Sequence, residues 1–114
     1  MTHVTFETAK RLKEAGLPQP KKTEKGQYWF ANGELILFAG CEQVEVRMFE
    51  HDMVFAPTAT DIMRHLPGWA LYYHEGVWCC ALVEDEFVIA EFRSDNPAEA
   101  AAEAFLLEQS HAKK

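Results

Sequence analysis

Two short turns constrain this chain more than any other feature. Asn32-Gly33 separates the apolar runs Tyr28-Trp-Phe30 and Leu35-Ile-Leu-Phe38, and Glu75-Gly76 separates Leu71-Tyr-Tyr73 from Val77-Trp-Cys-Cys80. A two-residue loop of this kind needs positive φ, which glycine supplies, and it can join only antiparallel neighbours. Each turn therefore predicts a register. The first pairs Phe30 with Leu35 and Trp29 with Ile36, so both faces of that hairpin carry large apolar groups and coverage on both sides is expected. The second pairs Tyr73 with Trp78, Tyr72 with Cys79 and Leu71 with Cys80. One of its faces then holds Trp69, Leu71, Tyr73, Trp78, Cys80 and Leu82, a core face, and the other holds Ala70, Tyr72, His74, Val77, Cys79 and Ala81.

Helix signals flank these hairpins. Residues 5–15 repeat Phe6, Ala9 and Leu12 at helical spacing, with Thr5 as cap and Gly16-Leu17-Pro18 as stop. Residues 58–66 open on Thr58, with Asp61 at the capping-box position, and close at Leu66-Pro67-Gly68. Residues 97–110 follow Asn96 as cap, with Pro97 first, Glu99 third, and a small-residue face of Ala98, Ala101, Ala102 and Phe105 suited to close approach to a sheet. Strands are expected within 27–56, including an alternating strand at 44–48 and an apolar run at 53–56. More are expected within 69–93, the last across the turn Glu84-Asp85-Glu86. The expectation is one domain over residues 1–114, of mixed α+β class, with a mainly antiparallel sheet and three helices.

The chain has 114 residues, almost half of them hydrophobic, enough for one core without covalent help. No apolar run is long enough to span a membrane, and the first 16 residues lack the apolar centre of a signal peptide, so a cytoplasmic location is expected. Three cysteines, two of them adjacent, make a poor disulfide framework and fit a reducing compartment. Net charge is −7 and uneven: Lys10, Arg11, Lys13, Lys21, Lys22 and Lys25 crowd the start, whereas from Gly26 to Ala112 only Arg47, Arg64 and Arg93 oppose most of the 18 acidic residues. That balance argues against direct nucleic-acid binding, which needs several phosphates neutralised by Lys and Arg.

Three segments carry a family resemblance. Val4-Thr-Phe-Glu-Thr-Ala-Lys-Arg-Leu-Lys-Glu-Ala-Gly-Leu-Pro-Gln19, Ala56-Pro-Thr-Ala-Thr-Asp-Ile-Met-Arg-His-Leu-Pro67, and the ending from Phe92 through Asn96-Pro97-Ala98-Glu99-Ala100 to Leu107 span nearly the whole chain. In that order they resemble a family of short uncharacterised proteins encoded by phages and prophages, especially in Bacteroidetes genomes. The resemblance implies a small α/β/α sandwich without an established biochemical role, and it brings no catalytic residues.

Chemical motifs are sparse. Strand alternation sends Cys79 and Cys80 to opposite faces, so they cannot share an ion without a bulge, and a structural zinc site needs four converging ligands. His74 with Cys79 is the one pair left to test, and Cys41 has no local reason to join it. A reactive thiol wants positive charge beside it, and this neighbourhood is aromatic and acidic. His51-Asp52 reads as a turn rather than an oriented base, and His65 as a residue at a helix C-terminus. No P-loop, dinucleotide glycine motif or nucleophile elbow occurs. No catalytic, cofactor or metal residue is therefore assigned, and no cofactor is expected. The expected function is an accessory domain that binds another protein, a second copy (homodimer) included. The alternative is an acidic nucleic-acid mimic, with Glu42, Glu45, Glu50, Glu84, Asp85, Glu86 and Glu91 on one face, that antagonises a host defence or DNA-binding protein.

Overall fold

The structure, a computed structural model, describes residues 3–20, 27–31, 33–37 and 53–112. The calls on Asn32, on the strand at 44–48, on Cys41, on His51-Asp52 and on Glu42, Glu45 and Glu50 lie outside these residues.

Helix α1 (Phe6–Glu14) starts where Thr5 turns its hydroxyl oxygen to accept from the Thr8 amide at 3.3 Å. Strand β1 (Tyr28–Ala31) pairs antiparallel with β2 (Glu34–Leu37) and, on its other edge, with β3 (Met53–Ala56). Helix α2 (Ala59–Met63) carries the complete capping box: the Thr58 amide donates to Asp61 at 2.9 Å and the Asp61 amide donates back to the Thr58 hydroxyl. It is shorter than the 58–66 expected from sequence. The following amides of His65 and Leu66 bond to Ile62 and Met63, three residues back, which tightens the last turn before Pro67. Strands β4 (Trp69–His74), β5 (Val77–Glu84) and β6 (Phe87–Ser94) form a meander, and α3 (Pro97–Ala112) follows directly.

The chain adopts the mixed α+β class with antiparallel pairing, and the described residues hold three helices and two three-stranded sheets, ordered β2-β1-β3 and β4-β5-β6. Helix α1 lies on β3 of the first sheet, α3 lies on β5 and β6 of the second, and α3 also packs against α1 and α2. Both hairpin registers expected from the glycine turns are present: Phe30 opposite Leu35, and Tyr72 opposite Cys79. Gly33 has φ +83° and Gly76 φ +86°, the conformation that motivated the reading.

Strand β1 is covered on both faces, with Phe30 against Phe6 of α1 (ring centroids 5.3 Å apart) and Trp29 against Phe55 on the opposite side (5.2 Å). Its partner β2 has no second neighbour among the described strands, and Leu35 and Ile36 stay exposed, so the expected double coverage stops one strand short. In α3 the small-residue face is wider than the sequence suggested. Ala100 and Ala104 are buried along with Ala98, Ala101, Ala102 and Phe105, because the helix meets two other helices as well as a sheet.

Polar groups tie these layers at α3. Asn96 caps the helix through the Ala98 amide (3.0 Å) and donates its side-chain N–H to the buried His3 carbonyl (2.9 Å). Glu99 reaches across to α1, accepting from the Thr8 hydroxyl at 2.8 Å and from the Thr5 amide at 3.4 Å. Trp69 donates its indole N–H to Glu108 at 2.8 Å, fixing β4 to the far end of the helix.

Candidate functional site

The second sheet turns its inner face (Trp69, Leu71, Cys80, Leu82, Ala90 and Phe92) toward the helices. The sequence placed Tyr73 and Trp78 on that face too. Strand alternation keeps them there, but Tyr73 is 61% exposed and rests only edge-on against Trp78 at 5.3 Å. It sits at the last rungs before the Glu75-Gly76 turn.

The outer face carries the pair singled out from sequence. His74 is exposed, and its ring nitrogen lies 3.7 Å from the equally exposed Glu75. Cys79 is 1% exposed although it lies on the face turned away from the described helices. Its cross-strand partners are Tyr72 on β4 and Arg93 on β6, and Glu91 lies diagonal to it, so larger neighbours close over a small side chain. Arg93 donates to Glu91 at 2.8 Å, and that hydrogen bond holds the carboxyl below its ordinary range. Loss of hydration, followed by the hydrogen bond and charge of Glu91, pushes the Cys79 thiol up. Glu91 is the group that both Cys79 and His74 act on, the first by a hydrogen bond and the second by its charge, and among the described residues no three His, Cys, Asp or Glu side chains converge as a metal site would require. Cys80, as expected, is core. Burial pushes its thiol up to about 11, and its sulfur lies 3.7 Å from that of Met63. Both thiols are protonated at neutral pH, which is the opposite of what nucleophilic chemistry needs.

A cleft of about 240 Å³ opens beside α2, lined by Leu17, Pro18, Gln19, Phe55, Arg64 and His65 among others. It is smaller than the ~300 Å³ at which sites for drug-sized ligands begin. Two of its liners are already committed: Gln19 accepts from the Phe55 amide at 3.1 Å, and Asp61 caps α2.

The feature that sequence reasoning missed lies at the other end of the sheet. Strand β4 stops opposite Leu82, so β5 and β6 continue past it as a two-stranded ribbon. At that point the register slips: Leu82 faces Ala90 but Val83 faces Val88, leaving Ile89 as an extra residue in β6. Beyond the slip no third strand or helix among the described residues covers the ribbon. Phe87 is 71% exposed, Ile89 57%, Val88 55% and Val83 47%. At the apex, Asp85 and Glu86 take positive φ (49° and 70°) without a glycine. Glu84, Asp85 and Glu86 have no ion-pair partner among the described residues. A sequence signal existed in Phe87-Val88-Ile89-Ala90, an apolar run that does not alternate as a strand with one wet face should.

No family model, curated protein or solved structure matches the chain. Among the described residues no helix is long and apolar enough to cross a membrane.

Proposed function

We propose that this chain is a non-catalytic protein-binding module, of the accessory kind that its resemblance to phage-encoded proteins suggests, and that the β5–β6 ribbon is its docking element. The observation that carries the reading is the cluster of Val83, Phe87, Val88 and Ile89. These four large apolar side chains are exposed together on one protrusion, whereas scattered single apolar residues would need no explanation. Protruding apolar side chains on a rigid element are what a partner's pocket desolvates, and an aromatic among them is the usual anchor.

The alternative, an acidic mimic of nucleic acid, draws support only from the three contiguous acids at residues 84–86. Glu91, further along the same hairpin, is neutralised by Arg93 rather than presented to a partner.

The test is affinity capture from host lysate with the intact chain and with Phe87→Ser, each with and without competing DNA. A discrete partner held by the intact chain and lost from a Phe87→Ser protein with unchanged circular dichroism supports the reading. Capture that survives the substitution, or that DNA abolishes, overturns it in favour of another surface or of the mimic.

A further inference from the structure

We propose that strand β4 is a pairing edge for a second copy of this chain, aligned antiparallel about a two-fold axis at Tyr72. The proposal goes beyond the ribbon reading and does not depend on it. Among the described residues β4 pairs on one side only, with β5. The two-residue turn at Glu75-Gly76 makes His74 and Val77 the first hydrogen-bonded pair of that ladder. Alternation then directs the backbone groups of Tyr72 and Ala70 to β5 as well, and those of Tyr73, Leu71 and Trp69 to the open edge. Trp69 agrees with this phase, because its amide donates to the Leu66 carbonyl at 3.2 Å and not across the ladder. Leu71 and Tyr73 each keep an N–H and a C=O on the open edge, with no partner among the described residues.

Those free groups select one register. With the axis at Tyr72, Leu71 exchanges two hydrogen bonds with the partner's Tyr73, and Tyr73 two with the partner's Leu71. An axis at Leu71 would need the Trp69 amide, already given to Leu66, and one at Tyr73 would need Glu75, which turns away at φ 50°. The side chains match in the same register. Toward the helices, exposed Tyr73 lies beside the partner's Leu71. On the outer face Tyr72 meets its own copy, and His74 faces the small side chain of the partner's Ala70. Strand β4 has no Asp, Glu, Lys, Arg, proline or register slip, the devices that blunt an edge. A chain of net charge −7 therefore meets itself along an uncharged strand. The β6 edge differs, carrying Glu91, Arg93 and the slip at Leu82/Val83. In the resulting six-stranded sheet the two ribbons point in opposite directions, which keeps their acidic apices apart.

Sedimentation of the full chain should give a monomer–dimer equilibrium at micromolar concentration. Tyr73→Pro removes an N–H that faces away from β5, so the β4–β5 ladder survives it. It should raise the dimer Kd about tenfold or more, because symmetry removes two bonds at once. Phe87→Ser, on the ribbon, should leave the equilibrium unchanged. Tyr72→Lys and Tyr72→Glu should each weaken self-association, and mixing the two variants should restore it as a heterodimer. Only a residue that faces its own copy gives that rescue. Circular dichroism checks the fold of every variant, and if Tyr73→Pro does not fold, the two Tyr72 substitutions carry the test. A chain that stays monomeric up to about 1 mM overturns the proposal. So does a dimer unmoved by a folded Tyr73→Pro, one dissociated by Phe87→Ser, or a failure of the mixed variants to associate.

Discussion

Glu86 shows how a single residue carries a cost the surrounding fold does not require. It occupies φ +70° in a two-residue hairpin turn, a position where glycine avoids the steric penalty of about 1 kcal/mol that other residues incur. Glu86→Gly should therefore raise the urea midpoint without changing its slope, by about 0.5–1 kcal/mol, the relief being partly offset by the freer unfolded chain. Cys80 makes a second, pH-dependent case. Its folded thiol is raised from 9 to about 11, so the folded state holds the proton more tightly than the unfolded chain does. The stability it contributes is complete below pH 9 and is lost as pH climbs from 9 toward 11, where unfolding releases the proton. Cys79 and Tyr72, both raised, act in the same direction. Chemical denaturation at a series of pH values should show this alkaline decline, and Cys80→Ala should flatten it from a lower starting stability.

Helix α3 is the element on which the architecture turns. Its small side chains let α1, α2 and the β4-β5-β6 sheet all approach one cylinder, and they leave no room to grow. Ala101→Leu is expected to cost about 1–3 kcal/mol through overpacking, although leucine is almost as good a helix former as alanine. A fall in melting temperature with unchanged helical circular dichroism below the transition is the expected result. Much of this helix was legible: Asn96, Pro97 and the Ala98/Ala101/Ala102/Phe105 spacing announce both its start and its inner face. Glu99 was not legible in full. Its place in the first turn suggests only a favourable charge near the helix N-terminus, whereas its partners Thr5 and Thr8 lie more than ninety residues away in sequence. Local rules see caps, and tertiary hydrogen bonds arrive only with the fold.

At the scale of the molecule the hairpins follow the same division. Register was readable because a two-residue glycine turn leaves one pairing available, and both pairings hold. Exposure was less readable, because it depends on where neighbouring elements end. Tyr73 shares a face with half-buried Leu71 yet is mostly exposed, and Cys79, on the face away from the described helices, is sealed by Tyr72 and the Arg93–Glu91 pair. The ribbon beyond Leu82 follows from β4 being shorter than β5 and β6, which no turn motif declares; the one local hint was the non-alternating apolar run Phe87-Val88-Ile89-Ala90.

The unbroken run from β4 through α3 also bears on how the chain acquires its shape in time. Residues 69–112 form a complete sheet together with the helix that covers it, every connection being a short turn. In the other sheet β1 pairs with β3, which lies well beyond it in sequence, so closure there carries a larger entropy cost. Local pairing closes first on that ground. The C-terminal half then serves as the template on which α1, locked by Thr8 and Glu99, and its sheet complete the molecule.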